Sequence, residues 1–148
     1  YHQDAAASAA STPVRCLTCK QPMVKPDTVL YGGSLPDRFF QCADEDLQRV
    51  DLLFVAGTSL TVGPANSVVA RVPETCARVV VNMEPVGAHL GVQYGAQAVR
   101  DVFLPGACDN TFLDLIFRLG WQSDLVAVKE ELAPSSRMLL EAKLAEQE

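Results

Sequence analysis

Val50-Asp51-Leu52-Leu53-Phe54-Val55-Ala56-Gly57-Thr58-Ser59-Leu60-Thr61-Val62-Gly63-Pro64 decides how this chain folds. The unbroken apolar run Leu52 to Ala56 predicts a strand buried on both faces, as in the parallel sheet of an α/β domain. The run stops at Gly57-Thr58-Ser59, a glycine and two hydroxyls at the strand's carboxyl end. In open parallel sheets, ligands occupy the crevice outside that edge. Pro64 suits the first turn of a following helix, where it has no amide hydrogen to lose. Taken alone, such a turn is most simply an ordinary strand-to-helix link, so the case rests on the flanking segments.

Outward from this stretch the pattern repeats. Asp37 to Arg49 reads as a helix with Phe40, Ala43 and Leu47 on one stripe, and Ala65 to Ala70 as a second helix, ended by Val72-Pro73. Arg78 to Val81 predicts a second buried strand with Asn82-Met83-Glu84-Pro85 at its carboxyl end. The two strands and the helix between them form a βαβ unit, which puts both polar strand ends on one crevice edge. Val99 to Leu104 is a third candidate strand, followed by the loop Pro105-Gly106-Ala107-Cys108-Asp109. Asp109 or Asn110 is placed to cap a helix that runs to about Leu119 and ends at Gly120. Residues 124–147 read as one or two more helices interrupted near Pro134, with a solvated charged face.

The 148 residues are 49% hydrophobic and 20% charged, which suits a globular and not a disordered chain. A net charge of −6 argues against a general nucleic-acid surface or an anionic membrane patch. No apolar run approaches the roughly 20 residues that span a bilayer, and no signal-peptide pattern is present. The chain opens at Tyr1, its first methionine is Met23, and residues 4–13 are mostly alanine and serine. These features lead us to expect a piece of a longer or processed protein. Five cysteines, an odd number, fit a reducing compartment better than a disulfide framework. Cys42 and Cys76 are expected as small, partly buried apolar residues.

Cys16-Leu17-Thr18-Cys19-Lys20 is a tight turn that directs two thiols at one point. A tetrahedral zinc site takes four ligands, which a ribbon supplies as two Cys-x-x-Cys knuckles about 15–20 residues apart. One knuckle is present, and its counterpart is expected ahead of Tyr1. A thioredoxin-like redox pair is the weaker reading, because neither the strand nor the helix that would flank it is evident. His2 is more simply a solvated side chain than a third ligand. Residues 24–36 read as an extended segment, through Thr28, Val29, Leu30 and Tyr31, broken by Gly32-Gly33. Such a segment is an ordinary strand and turn, or an edge that accepts a peptide by backbone pairing.

Together these segments resemble the sirtuins, the NAD-dependent protein deacylases, from about Arg15 to Leu125 and in family order. Gly57-Thr58-Ser59-Leu60, with Val62 and Pro64, is similar to their strand-end motif, and Pro26-Asp27, Val29, Tyr31-Gly32 and Leu35-Pro36 to their substrate loop. Cys16 and Cys19 resemble the second zinc knuckle, and Asn82 with Glu84 the ribose-binding strand end. Arg100-Asp101-Val102, Gly106-Ala107-Cys108-Asp109 and Leu119-Gly120-Trp121 resemble the carboxyl-terminal portion. The branch found in the eukaryotic cytosol, nucleus and mitochondria is the nearest likeness.

The resemblance implies the second half of a Rossmann-like parallel sheet with half of a small zinc ribbon. The implied segments are a flexible low-complexity insert (1–13), the half ribbon and substrate loop (14–36), the NAD-binding portion (37–121) and a helical extension (122–148). NAD would contact Gly57, Thr58, Ser59, Asn82, Met83, Glu84 and Cys108; acyl-lysine protein, histone or tubulin among the options, would contact Val29, Leu30 and Tyr31; zinc would sit on Cys16 and Cys19. No nucleic acid or membrane partner is implied, and an intracellular location is, cytoplasm or nucleus ahead of mitochondrion. The family's glycine-rich loop, catalytic histidine and first knuckle are expected upstream, since neither His2 nor His89 lies in a matching context. The chain alone is therefore expected to be inactive, and Gly33 stands where the family usually carries glutamate. Two competing readings remain: a non-catalytic zinc-ribbon and nucleotide-fold module that binds a protein partner, and a different nucleotide-dependent α/β enzyme.

Overall fold

A computed structural model describes residues 13–24, 28–30 and 32–146. The low-complexity stretch up to Thr12, which includes His2, lies outside the described residues, as do Pro26, Asp27 and Tyr31. The chain divides into two compact units, Tyr1–Phe39 and Phe40–Glu148.

The second unit is built on three parallel strands in the order β1-β2-β3. They are β1 (Leu52–Ala56), β2 (Ala77–Asn82) and β3 (Asp101–Pro105). Register sets Leu52 opposite Ala77 and Arg78 opposite Asp101, so the three carboxyl ends lie level. Helix α1 (Asp37–Asp46) precedes the sheet and continues as a turn closed by Arg49 and Val50 N–H groups on the Asp46 carbonyl. The β1–β2 crossover is a 3-10 turn, Ala65–Ser67, leading into α2 (Val68–Arg71). Pro64 stands one residue before that turn. Pro73 disfavours helical geometry in the residue before it, and Val72 is accordingly extended and ends α2. The β2–β3 connection carries only two 3-10 turns, Ala88–Leu90 and Gly95–Gln97.

One face of the sheet holds the core of Val55, Leu60, Val69, Val80 and Val92, with Leu53, Val86, Leu90, Tyr94 and Phe103 packed against it. On the other lies α3 (Cys108–Arg118), with Phe112 tilted against Phe54 at 5.9 Å between ring centroids. The expectation of two buried faces holds for the middle strand but not for β1. Val80 and Val81 are fully buried on opposite faces of β2, whereas Leu52 and Phe54 remain 47% and 41% exposed. Among the described residues no strand lies beyond β1, and α3 covers only part of that face.

The start of α3 also departs from expectation. Its N-cap is Ala107, without a side-chain cap, and Asp109 lies inside the first turn. Its end follows the glycine. Gly120 has φ +73, its N–H donates to the Phe117 carbonyl, and Trp121 N–H reaches back to Ile116. This pair of bonds is a Schellman motif, which a left-handed glycine permits. Two helices follow, α4 (Gln122–Ala127) and α5 (Pro134–Ala145), with Pro134 opening α5 instead of breaking it. Leu140 of α5 is fully buried, and Lys143 holds Asp114 of α3 at 2.6 Å.

A buried ion pair locks the amino ends of the strands. Arg78 makes two bonds to Asp101, Nε to Oδ1 at 2.5 Å and Nη2 to Oδ2 at 2.7 Å. It also donates to the Val69 and Gly91 carbonyls, while Gln93 N–H reaches Asp101 Oδ2. Burial pushes the Asp101 carboxyl up, but Arg78 and the Gln93 amide outweigh it and hold the group below the usual carboxylate range.

Candidate functional site

The polar residues singled out in the sequence gather at the carboxyl ends of the three strands. Chain direction turns sharply at Gly57, whose φ is +61 and whose N–H donates to Val81 of β2. A Cβ at Gly57 would stand 3.3 Å from the Cys108 Sγ, so a side chain there crowds the first residue of α3. Cys108 in turn points its thiol at the Val81 carbonyl, 3.7 Å away. The Gly106 N–H donates to the Asn82 carbonyl, which stitches β3's end to that of β2. Gly57, Val81, Asn82, Gly106 and Cys108 thus form one continuous edge.

The loop after β1 is shaped by its own side chains. Thr58 Oγ1 accepts the Leu60 N–H at 3.1 Å, and Ser59 Oγ pairs with Thr61 Oγ1 at 2.8 Å. Leu60 has φ +55, unusual for a branched residue, and its side chain is sunk in the core. Asn66 secures the strained turn by donating from Nδ2 to the Leu60 carbonyl at 3.2 Å. Core packing on Leu60 and the Asn66 bond together leave the Thr58 and Ser59 side chains exposed. On β2, Asn82 Nδ2 donates to the Glu84 carbonyl at 3.0 Å, which curls Met83 and Glu84 outward, both exposed. Leu60 entered the sequence reading only as part of the strand-end motif, with no role of its own, and Asn66 was not singled out. A leucine in left-handed geometry gives no compositional signal, and Asn66 matters only because of that turn.

This edge offers hydroxyls, an amide side chain and free-standing loop backbone, a set suited to ribose and phosphate oxygens. Beside it, a cavity of about 360 Å³ runs along β1, lined among others by Phe54, Ala56, Thr58, Val62 and Asn66. His89 is exposed on the 3-10 turn Ala88–Leu90, and Cys42 is exposed on α1 instead of partly buried. Cys76 is fully buried.

In the first unit, Cys16 to Gln21 form a closed turn. Lys20 N–H donates to the Cys16 carbonyl and Cys16 N–H to the Gln21 carbonyl, with Lys20 at φ +59. Arg15 Nη1 braces the turn on the Lys20 carbonyl at 3.0 Å. The backbone amides of Cys19 and Thr18 bond the Cys16 sulfur and hold its thiol below the ordinary cysteine value. Amides directed at a sulfur favour thiolate, the form that binds metal, so the turn fits a knuckle. Among the described residues no group of three or more His, Cys, Asp or Glu side chains converges on one point. Val29 and Leu30 are exposed and outside any helix or strand, and Gly33 N–H donates to the Leu30 carbonyl; Tyr31 lies outside the described residues.

A three-stranded parallel sheet with polar strand ends at one crevice edge is an α/β arrangement of the Rossmann-like kind. The Sir2 family model matches residues 2–64. The chain is 36% identical over 140 residues to "NAD-dependent protein deacetylase sirtuin-2" of Danio rerio, covering 87% of this chain and 36% of that protein. It is 43% identical over 105 residues to "NAD-dependent deacetylase sir2A" of Dictyostelium discoideum, covering 69% and 20%. Against "NAD-dependent protein deacetylase hst2" of Schizosaccharomyces pombe it is 37% identical over 111 residues, covering 75% and 31%. The chain belongs to the Sir2 family, and it spans about a third or less of the length of these relatives.

Proposed function

We propose that this chain is the carboxyl-terminal part of an NAD-dependent protein-lysine deacylase. The observation that carries the reading is the convergence of Gly57-Thr58-Ser59, Asn82 to Glu84 and Cys108 on one crevice edge. NAD supplies an ADP-ribose that accepts the acyl group and a nicotinamide that leaves. Thr58 and Ser59 hold its phosphates or ribose, Asn82 binds the adenosine ribose with Met83 and Glu84 beside it, and the Cys108 backbone amide borders the adenine. Val29 offers its carbonyl to the acyl-lysine Nε–H, while Leu30 and Tyr31 line the peptide. Cys16 and Cys19 hold structural zinc. The proton-accepting histidine belongs to the portion absent from these residues, so the chain alone is inactive. The substrate is an acylated protein, histone or tubulin among them, in the cytoplasm or nucleus ahead of the mitochondrion.

A chimera tests this: the chain joined to the amino-terminal portion of the Danio rerio relative, assayed for NAD-dependent deacetylation of an acetyl-lysine peptide. Activity is expected, and Ser59→Ala or Asn82→Ala each raises the Km for NAD. A neutral hydrogen bond is worth about 0.5–1.5 kcal/mol, hence a roughly 2- to 13-fold rise. Unchanged NAD dependence in both folded variants removes these residues from the site.

A further inference from the structure

Leu60 is held on both sides of its backbone. Its N–H donates to Thr58 Oγ1 at 3.1 Å, and its carbonyl accepts from Asn66 Nδ2 at 3.2 Å. Its side chain is buried in the core with Val55, Val69, Val80 and Val92. A leucine at φ +55 is disfavoured by its own Cβ, and such a residue persists only where its surroundings over-determine it. Asn66 brings its bond from the 3-10 turn Ala65–Ser67, where its own N–H is tied to the Val62 carbonyl. From this we infer that Asn66 is a positioning residue for the nucleotide: by holding the Leu60 carbonyl it keeps Thr58 and Ser59 in the form that meets the phosphates or ribose of NAD. The inference rests on the deacylase reading.

The coupling from Asn66 to the two hydroxyls runs through single bonds. The Leu60 N–H fills one lone pair of the Thr58 hydroxyl and leaves its O–H to donate, the polarity a phosphate oxygen takes. Ser59, whose Oγ pairs with Thr61 Oγ1 at 2.8 Å, stands between Thr58 and the left-handed residue. A change of φ at Leu60 therefore carries both hydroxyls with it. The core holds the Leu60 side chain in place, so a freed Leu60 carbonyl lets the backbone relax around a fixed anchor. The loop, not the core, then moves. A preformed loop serves bound substrate and transition state alike, so its loss appears in the Km for NAD and not in kcat. Only the amide donor makes the bond: an aspartate has the same shape but presents acceptor oxygens to a carbonyl.

Two measurements on the same variants test this. In the chain carrying isotope-labelled leucine, a strong HN–Hα Overhauser effect within Leu60 reports its positive φ. In the chimera, steady-state kinetics give kcat and the Km values for NAD and peptide. Asn66→Ala and Asn66→Asp are expected to weaken the Leu60 signal and to raise the Km for NAD roughly 2- to 13-fold, the span of one neutral hydrogen bond. Both leave kcat and the peptide Km nearly unchanged. Ser67→Ala, which removes a 2.7 Å bond to the Pro64 carbonyl in the same turn, changes neither readout. A raised Km with Leu60 still left-handed makes Asn66 a direct contact to the nucleotide and overturns the inference. So does a lost positive φ with an unchanged Km, a normal Km in Asn66→Asp, or an equal effect in Ser67→Ala. The deacylase reading survives each of these results while Ser59→Ala and Asn82→Ala still raise the Km for NAD. An unmutated chimera without NAD-dependent turnover overturns that reading and the inference with it.

Discussion

Asp101 is the residue whose removal is expected to cost most. Its bidentate partner Arg78 is 2% exposed, so Asp101→Asn leaves a guanidinium buried without a counter-charge. Breaking such a pair costs about 3–5 kcal/mol, which urea unfolding at neutral pH measures directly. The pH dependence has a fixed sign. Because folding lowers the Asp101 pKa, its contribution is complete above the unfolded value near 4 and is lost as pH falls through the folded value. Wild-type stability therefore falls below about pH 4 with a steeper slope than Asp101→Asn shows. A parallel slope in both proteins would remove Asp101 from the acid transition.

Gly87 is a second residue with a single tolerated identity. Its φ is +82, and an added Cβ would stand 2.7 Å from Leu60 Cδ1 and 3.0 Å from Val92. Gly87→Ala is expected to destabilise by about 1–3 kcal/mol through overpacking and positive φ together, read as a lower urea midpoint. Gly33 behaves differently: the positive φ in its turn belongs to Gly32, at +84. A Cβ at Gly33 meets the Leu30 carbonyl at 3.0 Å, the same oxygen that accepts the Gly33 N–H. In the chimera, Gly33→Glu is expected to lower the peptide Km and leave the Km for NAD nearly unchanged. The gain is about 0.5–1 kcal/mol in an exposed, screened loop. A matched loss of activity in Gly33→Glu and Gly33→Ala would show that backbone crowding governs the position.

At the scale of elements, the strands were readable where composition changes abruptly. Asp51 and Gly57 bracket five apolar residues, and β1 is Leu52–Ala56 as expected. β3 was misread at its start. Val99, expected to open the strand, is 93% exposed and lies ahead of it, and β3 opens at Asp101, which is buried. Its partner Arg78 lies 23 residues earlier, a relation that local periodicity cannot carry. The crevice residues were legible as strand ends, but the bonds that fix them, Asn66 to Leu60 and Gly57 to Val81, depend on tertiary packing. The carboxyl-terminal helices read as a solvated charged face, yet Leu140 of α5 is fully buried, and Lys143 and Ser136 reach Asp114 and Asp109 of α3. Leu140→Ala is expected to cost about 2–5 kcal/mol in urea unfolding, because its site is fully buried. Lys143→Met should cost no more than about 1 kcal/mol, since the pair with Asp114 is partly solvated. Equal losses in the two variants would place the anchor in the ion pair.

For the whole molecule, the governing feature is that a three-stranded sheet has two edges, and β1 is one of them. Asp51 C=O accepts from Ala77 and Gly57 N–H donates to Val81, so the alternate residues Leu53 and Val55 face β2. Leu52, Phe54 and Ala56 then direct their N–H groups outward, toward no described strand. An apolar edge of this kind templates association between chains. Leu52→Lys is expected to reduce the scattering of concentrated solutions while leaving the urea midpoint within about 0.5 kcal/mol, as surface substitutions generally do. Increased scattering would place the sticky surface elsewhere.

The same alternation sets a clock for deuterium. In β2 every amide has a neighbour, since Ala77 bonds toward β1 and Arg78 toward the residue before β3. Amides of Arg78 to Val81 can pick up the heavier isotope only when the sheet opens, and should be the slowest in the chain. Those of Leu52, Phe54 and Ala56 label at once in the isolated chain. Any segment that later pairs along β1 slows these three positions selectively, leaving Leu53 and Val55 almost as before, so a mass spectrum resolved by residue reads out the edge's occupancy.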